Sequence, residues 1–187
     1  MYRKPDRPIL VTGGSGYVGS KLVPILAQHC RVRTLDTETF GNSIAGTPNV
    51  EFIQGDIRDR QVVRQALQGV DSVIHLAGIV TDELVDMNES YSSSVNIGAL
   101  RMLCYEAAKA GVQRFIYASS SSVYGSQAEE CSEGTPPQPQ TAYARMKLGG
   151  ESILDDYRDA FWCFAVRSAT CCGPAPRMRL DTIVNTF

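Results

Sequence analysis

Short apolar runs recur along the chain between polar, glycine-bearing stretches. Six of them have the length and the β-branched or aromatic content of strands: residues 9–11, 31–35, 50–53, 72–76, 113–118 and 162–166. The first, Ile9-Leu10-Val11, has no polar alternation, which fits a strand buried on both faces of a parallel sheet. Helical spacing appears between them. Residues 20–28 follow a glycine-rich turn, residues 60–68 follow Asp59 as N-cap, and residues 90–110 carry small and apolar side chains on one side before Gly111. A further helix carries Tyr143 and Lys147, with Thr141 as its cap, and residues 181–187 begin another. Residues 40–49 read as a polar loop and residues 80–89 as an acidic one. Three prolines (Pro136, Pro137 and Pro139) make residues 127–140 an irregular, exposed loop, and Gly173-Pro174-Ala175-Pro176 breaks the chain.

Composition narrows the class. At 187 residues, 43% hydrophobic and 20% charged, the chain has the make-up of one soluble domain with a sizeable core. A net charge of −2 gives no electrostatic case for nucleic acid or an anionic membrane. The first residues lack the apolar core of a signal peptide, and no run approaches membrane-span length. The six cysteines have no C-x-x-C spacing, and most lie in apolar runs, so buried free thiols in a reducing cytoplasm are expected. His29 and His75 are too scattered for a metal site, and His75 reads as a packed strand residue.

Candidate chemistry starts after the first strand. Thr12-Gly-Gly-Ser-Gly-Tyr-Val-Gly19 fits G-x-G-x-x-G and G-x-x-G-x-x-G at once. Between a strand and a helix, such glycines allow a tight turn and close backbone approach to a pyrophosphate, while the helix N-terminus supplies amide donors. Asp36 closes the second strand twenty residues after Gly16, where a carboxylate accepts from an adenosine ribose and repels a 2′-phosphate. That favours NAD over NADP. Ala77-Gly78, small residues after the fourth strand, let a cofactor lie against the backbone. Tyr143 and Lys147 lie one helical turn apart, where an ammonium can pull a phenol down from about 10 and make it an acid–base group near neutral pH. Ser119 to Ser122 precede Val123-Tyr124-Gly125 at the end of the fifth strand, where open parallel sheets bind ligands.

In this order, the glycine turn, Asp36, Asp56-Ile57, the serine run and Tyr143/Lys147 resemble the extended short-chain dehydrogenase/reductases, within them the NAD-dependent epimerase/dehydratase group acting on nucleotide sugars. The resemblance covers essentially the whole chain. It implies an α/β fold, a doubly wound Rossmann sheet with NAD held across it. It matches Gly13, Gly16 and Gly19 to the phosphate turn, with Tyr17 and Val18 among the cofactor contacts. It matches Asp36 to the ribose contact, Asp56 and Ile57 to the adenine pocket, and Leu76, Ala77, Gly78 and Asn96 to the cofactor-lining stretch and the long helix's asparagine. Ser120, Tyr143 and Lys147 match the catalytic serine, tyrosine and lysine, the last two also touching the cofactor.

The chain departs from the pattern in three places. Ser121 and Ser122 stand where 4,6-dehydratases carry acidic residues, which argues against a dehydratase. Thr170 stands where many relatives have a substrate-binding asparagine. Relatives continue into a substrate-binding domain, so residues 1–187 are expected to form one NAD-binding domain, with residues 174–187 starting a curtailed substrate region. Three functions follow: a nucleotide-sugar epimerase working through a transient ketone, an NAD-dependent sugar-ketone reductase or dehydrogenase, or an NAD-binding module without turnover. Partners are then a nucleotide sugar and, as one open assembly, a second copy of the chain.

Overall fold

The computed structural model describes residues 7–182 and Asn185. Six strands form one parallel sheet: β1 (Ile9–Thr12), β2 (Val32–Asp36), β3 (Val50–Gln54), β4 (Ser72–His75), β5 (Arg114–Ala118) and β6 (Trp162–Val166). Their spatial order is β3-β2-β1-β4-β5-β6. Each matches an expected strand to within a residue or two at either end. In register, Ile9 lies beside Val32 and Ser72, and Ile74 beside Ile116.

The alternation of faces explains why the inner strands read as unbroken apolar runs. Leu10 points to one side, into a core with Val63, Leu67, Leu100, Leu103, Phe115 and Leu154. Val11 points to the other, into a core with Val23, Ala27, Val32 and Ile44. Both are fully buried, and burying a side chain of that size stabilises by about 1.5–3 kcal/mol. The first core is closed by α2 (Arg60–Leu67), α5 (Ala99–Lys109) and α6 (Ala142–Asp155), the second by α1 (Tyr17–Ala27). Helices on both faces of a parallel sheet in this order make the doubly wound Rossmann arrangement.

The local signals hold where a cap was named. Asp59 accepts from the amides of Gln61 and Val62, and Thr141 from Ala144. Three expectations are corrected. The loop over residues 80–89 contains a helix, α3 (Asp82–Met87): Thr81 caps it, Asp82 and Glu83 complement its dipole, and Val85 buries against α6. The helix expected from residue 20 begins at Tyr17, because Gly16 occupies the N-cap. The long helix over residues 90–110 is three pieces: α4 (Glu89–Ser93), a π-helical turn (Ser94–Gly98) and α5. Of the final expected helix, Ile183, Val184, Thr186 and Phe187 lie outside the described residues.

Among the described residues no helix is long and apolar enough to cross a membrane, and no cluster of His, Cys, Asp and Glu could hold a metal. None of the six cysteines is in a disulfide, but only Cys104 is buried; Cys131, Cys171 and Cys172 are exposed. They sit in loops after or between elements, so the expectation of mostly buried thiols fails there.

Candidate active site

The expected site residues gather at the C-terminal edge of the sheet, where each strand hands over to a turn. At the first of these, Gly13 takes φ +75°, and a Cβ there would lie 2.7 Å from the amide nitrogen of Ala77. The turn after β1 and the stretch after β4 therefore pack backbone to backbone, a closeness only glycine permits. Across this junction Thr12 Oγ1 shares a 2.7 Å hydrogen bond with His75 Nδ1 and accepts from the Ala77 amide. His75 is buried, stacked against Tyr117, and burial holds its imidazole down at about 3, so it stays neutral and structural as expected.

The glycine turn leads into α1 with no side chain capping the N-terminus. Beside it the Ser15 hydroxyl is buried with no hydrogen-bond partner. A helix N-terminus plus an unpartnered buried donor is a cradle for a phosphate. Asp36 accepts from the Ser15 amide at 3.0 Å and from the Glu38 amide at 2.8 Å, which ties the turn to the end of β2. A carboxylate has about four acceptor positions, so lone pairs remain for a ribose. These features fit NAD: Gly13, Gly16, Tyr17, Val18 and Gly19 would take the pyrophosphate and Asp36 the ribose.

On the expected adenine side, the side chains are engaged within the protein. Asp56 is taken up by Arg58, which donates to it from its backbone and from its guanidinium; those hydrogen bonds hold the Asp56 carboxyl below its usual range. Arg58 also lies 4.7 Å over the Tyr91 ring. The Ile57 side chain belongs to the core. Asn96, in the π-helical turn, accepts from the amide of Ile79 and donates to its carbonyl, each at 2.9 Å. Its side chain is spent on shaping the stretch beyond Gly78, and the extra residue in the helix is what turns it inward.

The serine run forms a single 3-10 turn, Ser121–Tyr124, with Ser120 at its N-cap. Tyr143 and Lys147 lie on one face of α6 as predicted, with Lys147 Nζ 5.6 Å from the centre of the Tyr143 ring. α6 can sit this low because Gly150 faces Tyr117, where a Cβ would meet the phenol oxygen at 2.4 Å. Lys147 is 6% exposed and donates to the Ala118 carbonyl at 2.7 Å. Burial lowers its ammonium to about 8. Tyr143 does not show the lowered pKa that the spacing predicts: burial raises it, against the pull of a Ser120 hydrogen bond. The ammonium is turned to a carbonyl and the desolvation of a phenolate outweighs the bond.

Four residues around the serine turn or Tyr143 escaped sequence reading. Asp82 and Arg179 act on it electrostatically with opposite signs, and Glu151 and Arg167 form a mostly buried pair behind the serine turn. Glu151 could have been found: it continues the Tyr143-Lys147 face at the same four-residue step.

The sequence matches the NAD dependent epimerase/dehydratase family over residues 9–186. A UDP-glucose 4-epimerase of Neisseria meningitidis serogroup B is 36% identical over 169 residues, covering 82% of this chain and 49% of that protein. A dTDP-D-glucose 4,6-dehydratase of Mus musculus is 31% identical over 180 residues, covering 89% and 51%. Among solved structures, MoeE5 in complex with UDP-glucuronic acid and NAD superposes with a TM-score of 0.87 at 29% identity, over 96% of this chain and 59% of that one. The chain spans about half the length of the curated relatives it matches.

Proposed function

The chain belongs to the NAD dependent epimerase/dehydratase family, and from that premise we propose that it is the NAD-binding, catalytic portion of a nucleotide-sugar epimerase. The observation that carries this reading is the convergence of Ser120, Tyr143 and Lys147 at the end of β5, where Lys147 donates to the Ala118 carbonyl. When bound, NAD supplies a reversible acceptor for the hydrogen on the sugar carbon. Tyr143 removes the proton from the hydroxyl on that carbon, and Ser120 holds the oxygen as it becomes a ketone. Rotation of the ketone and return of hydrogen and proton then invert the centre. Lys147 is assigned to a cofactor ribose; with its ammonium donating to the Ala118 carbonyl, it does not itself lower the Tyr143 phenol in this arrangement. No acid–base pair beyond Tyr143 is required. Ser121 and Ser122 stand where, by the resemblance, 4,6-dehydratases carry acidic residues, which supports epimerisation over elimination.

Incubating the protein with NAD and UDP- or dTDP-hexoses, while following epimer formation and NADH absorbance, tests the reading. Whatever turnover occurs is expected to give inverted sugar without accumulating NADH. Tyr143→Phe should abolish the conversion and leave NAD binding nearly intact, since only the proton-moving hydroxyl is deleted. Stoichiometric release of NADH would indicate a dehydrogenase using the same residues. Wild-type turnover by Tyr143→Phe would overturn the assignment of the base.

A further inference from the structure

Behind Ser120 and Tyr143 lies a polar cluster that the proposed reaction does not use. Glu151 sits on α6 one turn beyond Lys147, and Arg167 is the first residue after β6. Arg167 donates from Nε to Glu151 Oε1 at 2.9 Å and from Nη2 to Oε2 at 2.6 Å, a two-point fork. Its Nη1 donates to the Tyr124 hydroxyl at 3.0 Å, and its guanidinium lies 4.9 Å over the Tyr124 ring. The Ser119 hydroxyl donates to the same Glu151 Oε1. Burial opposes ionisation of Glu151, yet the hydrogen bonds from Arg167 and Ser119 prevail and keep its carboxyl below the usual range.

The placement of these contacts matters more than their number. Ser119 and Tyr124 bracket the turn that carries Ser120, and both are fastened to one ion pair rooted on α6, the helix of Tyr143. The Ser121 amide adds a third tie, donating to the Ser168 carbonyl at 2.9 Å. Within the turn, Ser120 Oγ accepts from the Ser122 amide at 3.2 Å and from the Ser122 hydroxyl at 2.9 Å. That leaves the Ser120 proton free to go to Tyr143. A mostly buried ion pair is a costly way to gain cohesion, because apolar residues of similar volume do as well or better. Its use here is geometric: it fixes the distance between a turn and a helix that share no backbone hydrogen bond to do so.

We infer that the Glu151–Arg167 pair is a positioning device that sets the Ser120 hydroxyl against the Tyr143 phenol. The inference rests on the roles given above to Ser120 and Tyr143, and its test does not use turnover. In the 187-residue chain labelled with carbon-13 at tyrosine Cζ, the Tyr143 resonance is the one that Tyr143→Phe removes. Ser120→Ala should shift it by deleting its hydrogen-bond donor. Glu151→Ala should shift it in the same direction, and Tyr124→Phe, which removes a single hydroxyl from the cluster, should do so by less. Glu106→Gln, which weakens an ion pair with Arg60 and Arg64 on the α2–α5 contact, should leave it in place. A merely structural role for Glu151 would lower thermal stability as Glu106→Gln does, without the shift. If Glu151→Ala fails to fold, Tyr124→Phe decides. A resonance unmoved by both, while Ser120→Ala moves it, overturns the inference. If Ser120→Ala does not move it either, the inference falls together with Ser120's assigned role. Absent turnover with the expected shifts would defeat the proposed activity and leave the positioning intact.

Discussion

Lys147 and His75 occupy one buried region and both are pushed towards their neutral forms, Lys147 by burial and His75 by burial and the nearby Lys147. For His75 the consequence is a stability that depends on pH. Its folded pKa of about 3 lies below its unfolded value of 6.5, so between those values the unfolded chain binds more protons than the folded one. The stabilisation is complete above pH 6.5 and is lost progressively as pH falls towards 3. Between pH 7 and pH 5 the wild type should therefore lose about 2 kcal/mol more than His75→Gln does. Urea unfolding at both pH values measures this, and equal losses would mean that His75 is not held neutral. At this scale the sequence was legible where chemistry is local. Tyr143 and Lys147 are a helical step apart, and Asp36 is one strand away from the glycines. The direction of the Tyr143 shift was not legible, because spacing reports a neighbour but not the desolvation that opposes it. Nor was Arg167, whose partner Glu151 is brought to it only by the pairing of β6 with β5 and the packing of α6 across them.

Elements were read well when one signal dominated. Strands that bury both faces show as unbroken apolar runs, and the helices capped by Asp59 and Thr141 show their first residue. α3 was missed because its six residues present only Val85 to the core, and the charges on either side read as a loop. The π-helical turn was missed because inserting one residue into a helix leaves composition unchanged; its backbone and the two hydrogen bonds between Asn96 and Ile79 mark it in the structure. α6 is the element on which the site depends most, and its start is set by Thr141, whose hydroxyl accepts from the Ala144 amide at 3.1 Å. Thr141→Ala should cost about 1 kcal/mol. For a domain of this size that is a drop of roughly 2–4 °C in Tm, measurable by calorimetry. An unchanged Tm would show that packing of the apolar face fixes the helix start without the cap.

At the scale of the whole molecule, apolar patterning predicts six strands but not their order. The β3-β2-β1-β4-β5-β6 arrangement follows from crossovers that keep one hand and from the reversal of winding between β1 and β4. That reversal opens the crevice where the turns after β1 and β4 meet at Gly13 and Ala77. The elements assigned to NAD all lie within the described residues, while the chain is only about half as long as its curated relatives. We propose that these described residues suffice to bind the cofactor. Calorimetric titration of the 187-residue protein with NAD and NADP, alongside Asp36→Ala, tests it most directly. One NAD per chain, bound more tightly than NADP, with the preference narrowed by Asp36→Ala, is the predicted result. No binding of NAD, or NADP bound as tightly by the wild type, would contradict it.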